Sequence, residues 1–150
     1  MMDVNLICNH NVATIGKSRG IGDAAELMRQ EHVGDLIVVE TRAGAQVPVG
    51  ILTDRDIVVG VLARRVAPES VTVGDAMTRN LLTVREDSSI DFALREMRRY
   101  GVRRAPVVRA NGDLVGVIAV DDIIEHLAKE LGQLAELIRV EQNAEQRSRP

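Results

Sequence analysis

Short apolar runs and one-faced apolar stripes alternate along this chain, and the same order of them occurs twice. Val12 to Ile15 and Leu81 to Val84 are short apolar runs ending in polar turns, which predicts strands. Ile21, Ala24, Ala25 and Met28 then follow the i, i+3, i+4, i+7 spacing of a helix with one buried face, and Ile90, Ala93, Leu94 and Met97 repeat it. Ser88 or Ser89 is a plausible N-cap for the second of these helices. Leu36 to Glu40 and Ala105 to Arg109 read as buried strands, with Val49 to Leu52 and Leu114 to Ile118 as their hairpin partners. Ala43-Gly44 and Asn111-Gly112 mark the turns, Asn-Gly between apolar runs being a strong hairpin signal. A last helix follows in each pass, at about 54–63 and 121–131.

Aligned, residues 11–40 lie over 80–109 without a gap, and 47–58 lie over 113–124. Asn11, Thr14, Ile21, Ala24, Met28, Val38, Gly50 and Asp56 recur as Asn80, Thr83, Ile90, Ala93, Met97, Val107, Gly116 and Asp122. The segment from Thr72 also matches that from Asp3, so the repeat includes its lead-in. Two units that each expose an apolar face bury those faces together, which creates a pseudo-two-fold axis and two related clefts. The predicted class is α+β: two βαββα units, at 3–63 and 72–131, joined by a linker at 64–71. Residues 132–150 form a helical extension ending in a disordered tail from Asn143. In that extension Leu127, Leu131, Leu134 and Ile138 form a seam that suits either a partner helix or the chain's own core.

Composition narrows the function. Phe92 and Tyr100 are the only aromatic residues and the net charge is −3, which argues against single-stranded nucleic acid and against an anionic membrane surface. Cys8 stands alone, so no internal disulfide or cysteine metal cluster forms, and His10, His32 and His126 lack metal-ligand spacing. With no leader pattern and no long apolar run, the expectation is a cytosolic protein that needs no cofactor. The glycine-rich loop Gly16 to Gly22 is similar to the dinucleotide turn of short-chain dehydrogenases. However, the chain is short for that fold, Tyr100 lacks a catalytic lysine partner, and the second copy places Arg85, Ser89 and Asp91 at the equivalent positions.

GILTDRD at 50–56 and GVIAVDD at 116–122 resemble the Gly-apolar-apolar-Thr/Ser-x-x-Asp signature of cystathionine-β-synthase (CBS) domains, and the duplication resembles a tandem CBS pair, or Bateman module. The resemblance implies a non-catalytic sensor that binds an adenosine-containing ligand between its repeats: AMP, ADP or ATP first, S-adenosylmethionine or NAD after them. It also implies a homodimer and a regulated protein partner. Carried onto this sequence, it suggests a site of Gly50, Thr53, Asp56, Arg103, Arg104, Pro106, Thr14 and Ile15, and a weaker one of Gly116, Asp122, Thr83 and Val84. Asp56 stands where the family's carboxylate binds a ribose diol, Thr53 opens a helix whose free N–H groups suit a phosphate, and Gly50 leaves room against the strand. Arg103 and Arg104 match the basic position that reaches phosphates, and guanidinium holds phosphate bidentately.

Thr53-x-x-Asp56 is equally the pattern of a capping box, which stabilises a helix without any ligand. A ligand-free dimerisation module is therefore the second reading. A third is nucleic-acid contact through Arg95, Arg98, Arg99, Arg103 and Arg104, a set that otherwise reads as a solvated helix face. The second copy has Ala119 in place of the threonine, so the fold is expected to be symmetric and the function not.

Overall fold

The computed structural model describes residues 2–79 and 81–149; Asn80, the predicted counterpart of Asn11, lies outside them. Two three-stranded sheets form, each with a parallel and an antiparallel neighbour pair. The first contains β1 (Thr14–Gly16), β2 (Asp35–Arg42) and β3 (Ala45–Thr53), with α1 (Ile21–Glu31) crossing over between β1 and β2. After β3 comes α2 (Asp54–Ile57), which widens into a π-helical turn at Val58–Leu62. A short α3 (Val73–Ala76) leads to the second sheet: β4 (Val84–Arg85), α4 (Ile90–Tyr100), β5 (Arg104–Val108) and β6 (Leu114–Ala119). The chain ends in α5 (Val120–Ser148).

The repeat extends to irregularities. The antiparallel register slips between Val38 and Val39 in one sheet and between Val107 and Val108 in the other, so both copies carry a bulge at the same place. Pro48 sits beside the first bulge, where a residue with no N–H is tolerated. The hairpin turns differ. Ala43 and Gly44 both have positive φ (48° and 81°), as a two-residue type I′ turn requires. In the second hairpin only Gly112 does (φ 87°), and its N–H donates to Arg109 O at 3.0 Å, so Asn-Gly there ends a longer loop.

Three expectations are revised. The stretch from Leu81 to Thr83 does not join the sheet, β4 being only Val84–Arg85, although Leu82 is still buried in the core. The helix expected from residue 121 runs unbroken to Ser148, so the predicted disorder from Asn143 is replaced by helix through a segment of good helix formers. The third revision concerns the units themselves. Val4 and Cys8 pack in the core of copy two with Val84, Met97, Val107 and Ile118. Val73 packs in the core of copy one with Ile21, Leu36, Val38 and Leu52. Each unit is completed by the other's lead-in, so the boundaries at 63 and 72 divide the sequence but not the packed bodies.

Backbone bonds hold this exchange. Asn9 and Val117 pair both ways at 2.9 Å, while Ile51 and Thr78 pair at 3.1 and 2.9 Å. Thr72 and Asp75 form a capping box at the start of α3, and the Thr72 N–H donated to the Asp75 carboxylate holds that group below the ordinary carboxylate range. Bonds from Lys17 and Arg42 lower Glu40 in the same way. Both groups are depressed in the folded state, so their contribution is complete above the usual carboxylate pKa, about 4, and is lost as pH falls through the lowered values. Urea midpoints are expected to hold from about pH 7 to about pH 5 and then fall, with Asp75→Asn showing a shallower acid limb. An identical limb in that variant would contradict the assignment. Among the described residues, no helix is long and apolar enough to cross a membrane.

Candidate functional site

The ends of β2 and β5 meet at the pseudo-two-fold axis. Asp35 and Arg104 occupy equivalent positions in the two copies, and there they form an ion pair across the axis. Asp35 lies opposite Thr53 in its sheet and Arg104 lies opposite Ala119 in the other. The two helix starts that carry the duplicated motif therefore flank one charge pair.

At Thr53 the capping box is complete: the Asp56 N–H donates to Thr53 Oγ1 at 3.0 Å and the Thr53 N–H donates to Asp56 Oδ2 at 2.9 Å. Ala119 has no hydroxyl, so only the bond from its N–H to Asp122 Oδ2, at 2.9 Å, remains. Each carboxylate uses one oxygen on the cap and leaves the other available to a ligand. Both aspartates are half-buried.

A cavity of about 230 Å³ opens between the repeats on the Ala119 side. Its walls come from both copies: Asn9, Asn11, Val12, Ala13, Val33 and Asp35 from one, Arg104, Val117, Ala119, Asp121 and Asp122 from the other. Three carboxylates thus surround one guanidinium, which is itself engaged by Asp35. That chemistry suits a nucleoside body against the Val12, Ala13, Val33 and Val117 side chains, and it opposes a phosphate. Among the described residues, no group of three or more His, Cys, Asp and Glu side chains is placed to hold a metal ion.

Of the predicted site residues, Asp122 and Arg104 reach this cavity. At Gly50 and Gly116 the close neighbour is the chain itself. A Cβ on Gly50 would lie 2.5 Å from Met77 Sδ and 2.9 Å from Thr78 O, and one on Gly116 would lie 2.7 Å from Asn9 O, so both glycines let the crossing lead-ins approach. Ile15 and Val84 are core residues, and Pro106 is buried in β5 opposite Val117. Thr14 lies on a separate surface hollow with Arg19 and Asp23, and Thr83 is exposed. Arg103 is highly exposed and meets Asp121 of its own copy at 3.7 Å, so it stands at the Ala119 side and not beside Thr53. The proposed basic patch is interleaved with acids, since Arg99 also meets Glu96 at 3.8 Å.

The cavity residues missed by sequence reasoning are Asn9, Asn11, Val12, Ala13, Val33, Val117 and Asp121. One signal was present: Asn11 recurs as Asn80, just before the first strand of each copy and a few residues ahead of the positions chosen.

The CBS domain family matches this chain twice, at residues 3–62 and 73–129. An uncharacterized protein of Methanopyrus kandleri is 30% identical over 124 residues, which cover 83% of this chain and 62% of that protein. The chain thus spans under two thirds of that relative's length. Among solved structures, Hypoxic Response Protein I with two coordinated zinc ions superposes with a TM-score of 0.72 at 32% identity, covering 84% of this chain and 99% of that one. The CBS domain pair of protein MJ0100, in complex with 5′-methylthioadenosine and S-adenosyl-L-methionine, gives 0.72 at 26% identity over 87% and 98%. CBSX2 in complex with AMP gives 0.69 at 25% identity over 86% and 98%. With the two matches, the duplicated βαββα order and the shared axis, this chain belongs to the CBS-domain family, as a tandem pair.

Proposed function

We propose that this protein is a cytoplasmic, non-catalytic regulatory module that binds an adenosine-containing ligand between its repeats. One observation carries the reading: the helix starts at Thr53 and Ala119 flank the Asp35–Arg104 ion pair that joins the two copies, so a ligand held there biases their relative arrangement. The complexes of the similar proteins with AMP and with S-adenosyl-L-methionine support the ligand class. A protein partner then reads the arrangement, and the chain acts as a homodimer.

The two clefts take different ligands. Under the pseudo-two-fold, Ala119, Asp121 and Asp122 exchange with Thr53, Arg55 and Asp56. The second set replaces a methyl by a hydroxyl and adds Arg55, while Asp54 in place of Val120 keeps two acids in the first turn of each helix. The Thr53 cleft therefore takes the phosphorylated ligand, AMP, ADP or ATP, with Asp56 on the ribose and Thr53 and Arg55 toward phosphate. The Ala119 cleft favours an unphosphorylated nucleoside or none.

A thermal-shift and calorimetric screen with AMP, ADP, ATP, S-adenosylmethionine and NAD tests the reading, together with mass spectrometry of small molecules released from the purified protein. Adenine mononucleotides are expected to bind in the micromolar range, roughly −8 kcal/mol. Failure of every ligand to bind tighter than about 1 mM, roughly −4 kcal/mol, would leave the second reading, a ligand-free dimerisation module. The complete capping box at Thr53 and Asp56 is the observation that favours it.

The axial ion pair gives a separate prediction. Asp35→Ala removes a carboxylate and releases Arg104, at a stability change within about 1 kcal/mol for so exposed a pair. AMP affinity is expected to rise roughly threefold, the size of one screened charge. A fall in affinity would show that Asp35 is a ligand contact.

A further inference from the structure

The two lead-ins are tied by the same bond, made with different chemistry. The alignment that sets Asp3 over Thr72 sets Asn5 over Gly74 and His10 over Arg79. In copy one Arg79 Nη2 donates to Gly74 O at 3.1 Å. In the other lead-in His10 Nε2 lies 2.9 Å from Asn5 O. Only the donor differs, and arginine keeps its charge throughout the range in which imidazole loses it.

The histidine makes a second contact. Its Nδ1 lies 3.0 Å from Val115 O in β6. The ring thereby extends the two-way pairing of Asn9 with Val117, at the point where the Asn11 N–H turns back to Asn9 Oδ1. Both ring nitrogens face carbonyl oxygens, which only accept. A neutral imidazole has one N–H and satisfies one of them, leaving the other carbonyl against a nitrogen lone pair. A doubly protonated ring satisfies both, with the stronger bonds of a charged donor. The Cys8 thiol lies 3.6 Å from Nε2 and 3.8 Å from Asn5 O; its one proton serves either, so it does not replace the missing ring proton. Glu86, ahead of α4, and Asp122, in the first turn of α5, are close enough to act on that thiol. β6 brings no titratable side chain between Leu114 and Ala119, so none of these groups opposes a positive ring.

We propose that His10 is a proton-dependent strap on the first lead-in: the doubly protonated ring ties Asn5 to β6, and loss of one proton releases one of the two bonds. Asn9 and Asn11, on either side of the ring, wall the cavity at Ala119. That wall loosens as pH rises, while the Arg79 strap leaves copy one as it was. The strap does not depend on which ligand, if any, fills the cavity. An ordinary imidazole loses its second proton near about pH 6.5, so the strap is complete below that pH and is lost as pH rises past it.

Amide hydrogen exchange by NMR on the full native chain without ligand tests the strap, with protection taken relative to each amide's intrinsic rate at each pH. Asn9 and Val117 are the reporters, and their counterparts Thr78 and Ile51 are the reference inside the same molecule. Protection at Asn9 and Val117 is expected to fall about fivefold from about pH 5.5 to about pH 8, the worth of one hydrogen bond, while Thr78 and Ile51 hold within about twofold. His10 is exposed, so its variants leave both cores intact. His10→Arg, which installs the donor of copy one, is expected to keep high protection at both pH values, and His10→Ala to show low protection at both. Equal pH profiles for the two pairs of amides in the native chain would overturn the strap. So would the native fall persisting in His10→Arg or His10→Ala.

Discussion

Gly116→Val is expected to lower the melting temperature by about 10 °C. A Cβ there would sit 2.7 Å from Asn9 O and 2.9 Å from Cys8 Sγ. Neither atom can yield cheaply. Asn9 O accepts the Val117 N–H at 2.9 Å, and Cys8 is buried in the core of copy two, where desolvation raises its thiol pKa. Overpacking of this kind costs about 1–3 kcal/mol, and the branched side chain and the displaced lead-in place valine at the top of that range or beyond. At about 2–4 °C per kcal/mol for a chain of this size, the shift follows. Gly50→Val is expected to fall less far, because one of its two obstacles is the flexible Met77 side chain. Gly132→Ala is the control of opposite sign, since its Cβ meets nothing within 4 Å and it lies inside α5. Melting of Gly116→Val within about 2 °C of the native protein, less than 1 kcal/mol would produce, would show that the lead-in is not clamped at that strand.

The second large effect is on binding. Asp56→Asn keeps an oxygen to accept the Thr53 N–H, so the cap survives, but it removes the charge that a ribose diol would bond. Hydrogen bonds to charged groups are worth about 1.5–3 kcal/mol, so AMP affinity is expected to fall about 10- to 100-fold. Stability should change little, because a capped helix start loses at most about 1 kcal/mol when an acceptor is kept. Calorimetry and melting on the same sample separate the two roles. A large loss of stability with unchanged AMP affinity would make Asp56 a cap and nothing more.

The two-unit scaffold was legible because burial is periodic. Ile21, Ala24 and Met28, and Ile90, Ala93 and Met97, are buried as their spacing predicted, whereas Ala25 and Leu94, expected on the same faces, are exposed. The lead-in exchange was not legible, since Val4 and Val73 carry no mark of which core they join. The exchange also sets the lead-ins against Gly50 and Gly116: a glycine shows that something comes close but does not say whether it is a ligand or a chain. The axis that sets Asp35 against Arg104 exists only once the copies are packed. The wider winding at Val58–Leu62 and the long α5 reflect local choices among helical forms that periodicity does not resolve.

The most direct test of an unequal pair of clefts is an AMP titration by calorimetry on the native protein, Asp56→Asn and Asp122→Asn side by side. One AMP per chain is expected, with binding weakened at least about tenfold by Asp56→Asn and unchanged within about twofold by Asp122→Asn. Loss in Asp122→Asn with full binding in Asp56→Asn, or two equal sites per chain, would contradict the account.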